Sequence, residues 1–105
     1  MNDPQFIEAA RQLAAHAIAG EKSFDGRLDL ITEPLLSRRF KPAEREVARK
    51  LEERALQDYQ KNDTAAKELI HVGESKPDEK LPVPELAAWT LVASQVMNLD
   101  EALTK

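Results

Sequence analysis

Asp100 and Glu101, His16 and His71, and the basic run from Arg38 to Lys50 are the side chains here whose types invite a chemical reading. Adjacent carboxylates such as those in NLDEALTK serve elsewhere as acid/base or metal pairs, but neighbours in a helical turn point roughly 100° apart and no third ligand lies close in sequence. The simpler reading is punctuation: Asn98, left-handed, ends one helix and Asp100 caps a last turn. His16 lies at the edge of an apolar stripe beside Ala9 and Leu13, and His71 falls at the end of a short helix, where a helix terminus favours positive charge. Two histidines without an acidic spacing motif make a weak metal signal. In VGES, Gly73 and Ser75 come with one glycine and no arranged histidine, so neither a phosphate loop nor a serine nucleophile is formed.

The stretch SRRFKPAEREVARK gathers Arg38, Arg39, Lys41, Arg45, Arg49 and Lys50. A basic stripe of this kind takes phosphate or an acidic protein partner, while Glu44 and Glu46 dilute it toward a solvated face with helix-spaced pairs such as Glu46 with Lys50. Arg38, Arg39, Lys41, Arg45 and Arg49 are therefore the candidate interaction surface. No catalytic, metal-binding or cofactor-binding residue is assigned, and no cofactor is expected within this domain.

These side chains must be positioned by a small helical fold. The 105 residues suit one domain with one core, and 42% hydrophobic with 32% charged residues is the balance of a folded chain. Nineteen acids against fifteen bases give a net charge of -4, which disfavours nucleic acid and anionic lipid as partners. Without cysteine there is no disulfide, zinc-thiolate site or covalently attached c-type haem. The longest uncharged stretch, Leu86 to Leu99, has 14 residues, short of the roughly 20 that cross a bilayer, and the amino terminus has no signal-peptide pattern.

Asn2 or Asp3 followed by Pro4 opens a helix over about 4 to 19 with Gly20 as its stop; Phe6, Ala10, Leu13 and Ala17 form its stripe, widened by Ile7, Ala14 and Ile18. Leu28, Ile31, Leu35 and Leu36 have helical spacing around Pro34, which predicts a kinked helix or two short ones. A third helix opens at Pro42, runs to about Gln60 and lines up Val47, Ala48, Leu51, Ala55 and Tyr59. Asp63 caps a fourth, TAAKELIHV, ended by Gly73, and GESKPDEKLPVP follows as a flexible connection. The last helix starts near Pro84 and is apolar around its circumference, with Leu86, Trp89, Leu91, Val92, Ala93, Val96 and Met97, so it is the buried central element. Trp89 reads as core packing. The expected fold is an all-α bundle of about five helices, a single domain over 1–105. Any exposed apolar docking patch is expected on the first helix or beside the Pro34 break.

Three phrases, taken together and in order, resemble a known family: NDPQFIEAARQLA at residues 2–14, SRRFKPAERE at 37–46, and GES at 73–75 with PELAAWTLVASQVMNLDEALTK at 84–105. They are similar to the carboxy-terminal domain of unknown function in large planctomycete-type multi-domain proteins, many of which carry a cytochrome c-like domain nearer the amino terminus. Phe40 and Lys41 depart from the family's proline and small capping residue, and Ala102 from its bulkier, commonly aromatic residue. The resemblance implies one domain of a longer, exported or periplasmic protein, with any haem held elsewhere in the parent. It supplies no catalytic residues to carry over. The function expected is a non-enzymatic structural or interaction module that meets other domains of the parent or an acidic protein. The alternative is an accessory domain of a cytochrome c-associated redox or catalytic assembly.

Overall fold

The computed structural model describes residues 3–104, with side chains for residues 3–100. It contains five helices, α1 (Pro4–Gly20), α2 (Phe24–Leu36), α3 (Pro42–Lys61), α4 (Asp63–Ile70) and α5 (Val83–Thr104), and no strand among the described residues. None of these helices is long and apolar enough to cross a membrane.

Local chemistry explains most helix ends. Asp3 accepts from the Gln5 amide at 2.9 Å with Pro4 in the first turn, and Ser23 accepts from Gly26 at 3.0 Å. Gly20 was expected as a stop, but it lies inside the last turn of α1, where a Cβ would sit 2.9 Å from Leu30 Cδ1. Its role is close approach between α1 and α2. Pro34 neither divides α2 nor ends it: the helix runs two residues further, and Ser37 stops it at φ 59°, ψ 25°, its amide donating to the Glu33 carbonyl at 2.9 Å. A proline this near the carboxy-terminal end costs a single hydrogen bond.

The fourth helix is capped by Asn62 and not by Asp63. Asn62 donates its amide to the Asp58 carbonyl at 3.0 Å, closing α3, and accepts from the Ala65 amide at 3.1 Å, opening α4. Asp63 sits in the first turn and pairs with Lys67 at 2.9 Å. At the other end of the chain, α5 continues unbroken through Asn98 and Asp100, and the only left-handed non-glycine residue described is Ser37. The expected break and cap in NLDEALTK do not occur, because the Glu, Ala and Leu that follow are good helix formers. The side chain of Glu101, the other half of the acid pair, lies outside the described residues, as does that of Ala102.

The packing has a simple plan. Helix α5 touches each of the other four, and these meet one another in chain order, α1 with α2, α2 with α3, α3 with α4, and α4 back with α1. Helices α1 and α3 do not meet, nor do α2 and α4. Four helices thus ring the fifth, as its nearly uniform apolar circumference requires. Leu86, Ala87, Ala88, Trp89, Val92, Ala93 and Val96 of α5 are buried. Ala10, Ala14 and Ala17 of α1 are wholly buried too, and side chains this small let helix backbones approach closely. The buried hydroxyls of Thr90 and Ser94 in α5 are satisfied by their own helix: Thr90 donates to the Leu86 carbonyl and Ser94 to that of Leu91, both at 2.7 Å.

Candidate functional site

Between the first half of α3 and the second half of α5 lies a cleft of about 520 Å³. Ala48, Leu51, Val92 and Val96 are among the residues that line it, with Phe40 closing one end. Val47 and Leu99 stand at its mouth, 70% and 45% exposed, the large hydrophobic residues most open to solvent among those described. Glu44 and Gln95 are its polar members. The exposed apolar surface is therefore on α3 and α5, and not on α1 or beside Pro34 as expected. Val47, assigned to the buried stripe of α3, is displaced from it for a geometric reason. The helix packs through Ala48 and Ala55, and the residue before Ala48 is turned roughly 100° from it.

Much of the basic run is sewn into the chain. Arg38 holds Glu44 through two hydrogen bonds of 2.9 and 3.0 Å, and its guanidinium lies 5.9 Å from the centre of the Phe40 ring. Arg39 pairs with Glu33 at 2.6 Å. Arg45 bridges to Asp25 at 3.1 Å and to Asp29, and donates to the Phe40 carbonyl at 3.0 Å. Arg49 reaches Asp25 at 3.7 Å and lies 4.4 Å from the centre of the Phe24 ring. That ring stands 5.2 Å from Trp89, so an arginine, a phenylalanine and the core tryptophan form one stack from surface to interior. The helix-spaced pair expected between Glu46 and Lys50 is not among the ion pairs; the acids engaged come mainly from α2, where Asp25, Asp29 and Glu33 recur at four-residue intervals on one face. Lys41, Lys50 and Arg54 make no ion pair among the described residues.

Glu44 also starts α3 by accepting from the Lys41 amide at 2.8 Å. The Arg38 guanidinium and that amide together bring its carboxyl from about 4.5 down to about 2. A carboxyl whose folded-state value lies below its unfolded one stabilises the fold above the unfolded value and loses that contribution as pH falls through the folded one. Glu44→Gln is therefore expected to lower stability at neutral pH by at most about 1 kcal/mol, since both partners are substantially exposed. The deficit should close between about pH 4.5 and about pH 2, which urea unfolding across that window measures. A deficit independent of pH would contradict the assigned pair.

The remaining candidates are dispersed. His16 is exposed on α1, and His71, also exposed, follows α4 with Nδ1 2.7 Å from the Lys67 carbonyl oxygen. Among the described residues no three His, Cys, Asp or Glu side chains are grouped to hold a metal ion. Ser75 is a structural anchor: its hydroxyl and carbonyl oxygens both accept from Arg11, and its amide donates to Glu8 at 2.7 Å. Hydrogen bonds from the Ser75 hydroxyl and amide hold the Glu8 carboxyl below the usual carboxylate range. Arg11, only 3% exposed, also donates to the Ile70 carbonyl at 2.8 Å. The first part of the loop that was expected to be flexible is thereby fastened to α1. Nothing in the spacing of α1 pointed to Arg11, since its partners lie 59 and 64 residues away.

Comparison with protein-family models, with curated proteins and with solved structures finds no match for this chain. The cleft has an apolar floor and apolar lips, with Glu44 and Gln95 as its polar members.

Proposed function

We propose that this chain is a non-enzymatic protein-interaction module of a larger exported protein, and that the α3–α5 cleft is its docking face. The observation that carries the reading is the pairing of Val47 and Leu99, both large, apolar and exposed, across a cleft whose floor is apolar. Solvent-exposed aliphatic side chains opposite one another gain on the order of 25 cal/mol for each Å² they bury against a partner. Arg38 and Lys41 bring the basic run to the Phe40 end of this face, while Arg39, Arg45 and Arg49 extend it toward α2. The partner is another domain of the parent chain or an acidic protein. The exported setting follows from the resemblance of the three sequence phrases.

The test is a titration of isotope-labelled chain with the remaining domains of its parent, followed by backbone amide shifts. Shifts concentrated at Val47, Leu51, Gln95 and Leu99 are the expected result. Shifts confined to the exposed side of α1 around His16 would move the docking face elsewhere, and none at saturating concentration would remove the docking role within the parent.

A further inference from the structure

The cleft is one part of a longer groove. A second depression, lined by Leu51, Ala55 and Leu91 with Lys50, Arg54 and Asp58 at its edge, shares Leu51 with the first. From Glu44 to Ala55 the groove follows α3 for roughly 16 Å, or about three helical turns at about 1.5 Å per residue. A groove between two helices, apolar along its floor and of this length, matches the apolar stripe of a third helix with anchors spaced i, i+4 and i+7.

Its charge is one-sided. Helix α5 has no charged residue between Glu85 and Asp100, so the α5 wall is neutral there. The α3 edge carries Lys50 and Arg54, one turn apart, both without an ion pair among the described residues, with Lys41 similarly unpaired beyond the Phe40 end. Of the acids that line the groove, Glu44 is already held by Arg38 and Asp58 remains, while Glu53 lines a neighbouring depression with Lys50 and Arg54. The basic edge is a local feature of a chain whose net charge is -4. A second copy of this chain would bring the same Lys50 and Arg54 edge to both sides of a two-fold interface, which like-charge repulsion opposes.

We infer that the α3–α5 groove receives an amphipathic helix whose apolar stripe is flanked by glutamates or aspartates on the side facing Lys50 and Arg54. This rests on the docking role proposed above and specifies the partner's chemistry. The acids would steer and orient the helix, and the buried apolar anchors would hold it.

The experiment uses three synthetic peptides of about 15 residues, each a designed helix with leucines at the i, i+4, i+7 positions. One carries glutamates along the flank, one lysines in their place, and one the acidic composition in scrambled order. Titrated into labelled chain, the acidic amphipathic peptide is expected to shift Val47, Leu51, Leu91, Gln95 and Leu99. It should bind at least about ten-fold more tightly than the lysine peptide, the equivalent of about 1.4 kcal/mol. The double substitution Lys50→Glu with Arg54→Glu, both at exposed positions, should reverse that order. Equal binding of acidic and basic peptides, or a preference unchanged by the double substitution, would overturn the inference. So would shifts at these residues that appear without peptide and follow dimer formation in sedimentation. If no peptide binds while the parent's other domains still shift the cleft, the acidic-helix inference fails and the docking role stands; if neither binds, both fail.

Discussion

Trp89→Ala is expected to remove a large part of the stability of the fold. The indole is 2% exposed in the first half of α5, the helix that every other helix contacts, and it packs against the Phe24 ring at 5.2 Å. Removing a buried aromatic ring costs about 3–5 kcal/mol through lost transfer energy and the cavity left behind. The whole stability of a domain is only about 5–15 kcal/mol, so this is a large part of it. Trp89→Phe keeps a ring beside Phe24 and should lose much less. Circular dichroism through a urea titration measures both, and a loss below about 1 kcal/mol for the alanine variant would mean that the ring is not the keystone its burial indicates.

Arg11→Leu carries the second large effect. The guanidinium serves the carbonyls of Ile70 and Ser75 and the hydroxyl of Ser75, and leucine leaves all three without that donor. A buried acceptor left unpaired costs about 1–3 kcal/mol, which puts the substitution near 2–4 kcal/mol overall, with part recovered where water reaches Ser75. The damage should be local first. Amide hydrogen exchange is expected to rise in α4 and around Ser75 before it rises in α5, because Arg11 joins α1 to the end of α4 and to the loop beyond. Arg11→Lys should rescue only partly, since one ammonium cannot reproduce the planar fork that reaches two segments at once. Uniform exchange changes across the chain would show that Arg11 acts on the core as a whole.

These effects also mark what was legible in the sequence. The five helices could be read because their signals are local: Pro4 and Pro42 at helix starts, Asn or Asp before Pro4, and apolar residues at three- and four-residue spacing. The burial of α5 could be read for the same reason, since fourteen consecutive uncharged residues leave no polar face. Boundaries decided by competition between neighbours were harder. Asn62 and Asp63 are both good caps, and the ending of α3 at Asn62 settled the choice. Asn98 favours a helix end over a helix interior, but the residues beyond it carried the helix on.

Side-chain partnerships across the fold were the least accessible. The arginines of α3 were visible as a run, and the acids of α2 were visible at four-residue spacing, but their meeting depends on how the two helices lie together. The same holds for Val47, whose exposure follows from which flank of α3 faces α5. A row of acids on one helix and a row of bases on the next is a signal that could have been used, and it favours pairing within the chain over a solvated stripe.

The ring of four helices around α5 has a consequence for how the chain acquires its fold. The axis of the structure is the last of these five helices to be synthesised, so the first four are made before the surface that unites them exists. Contacts between α1 and α5 join residues about sixty or more positions apart, and such non-local contacts slow folding relative to bundles whose neighbours are all sequential. Until Trp89 and its neighbours emerge, the buried alanines of α1 and the apolar faces of α2, α3 and α4 have no common partner. Folding of this domain is in that sense expected as a late event, timed by the arrival of α5.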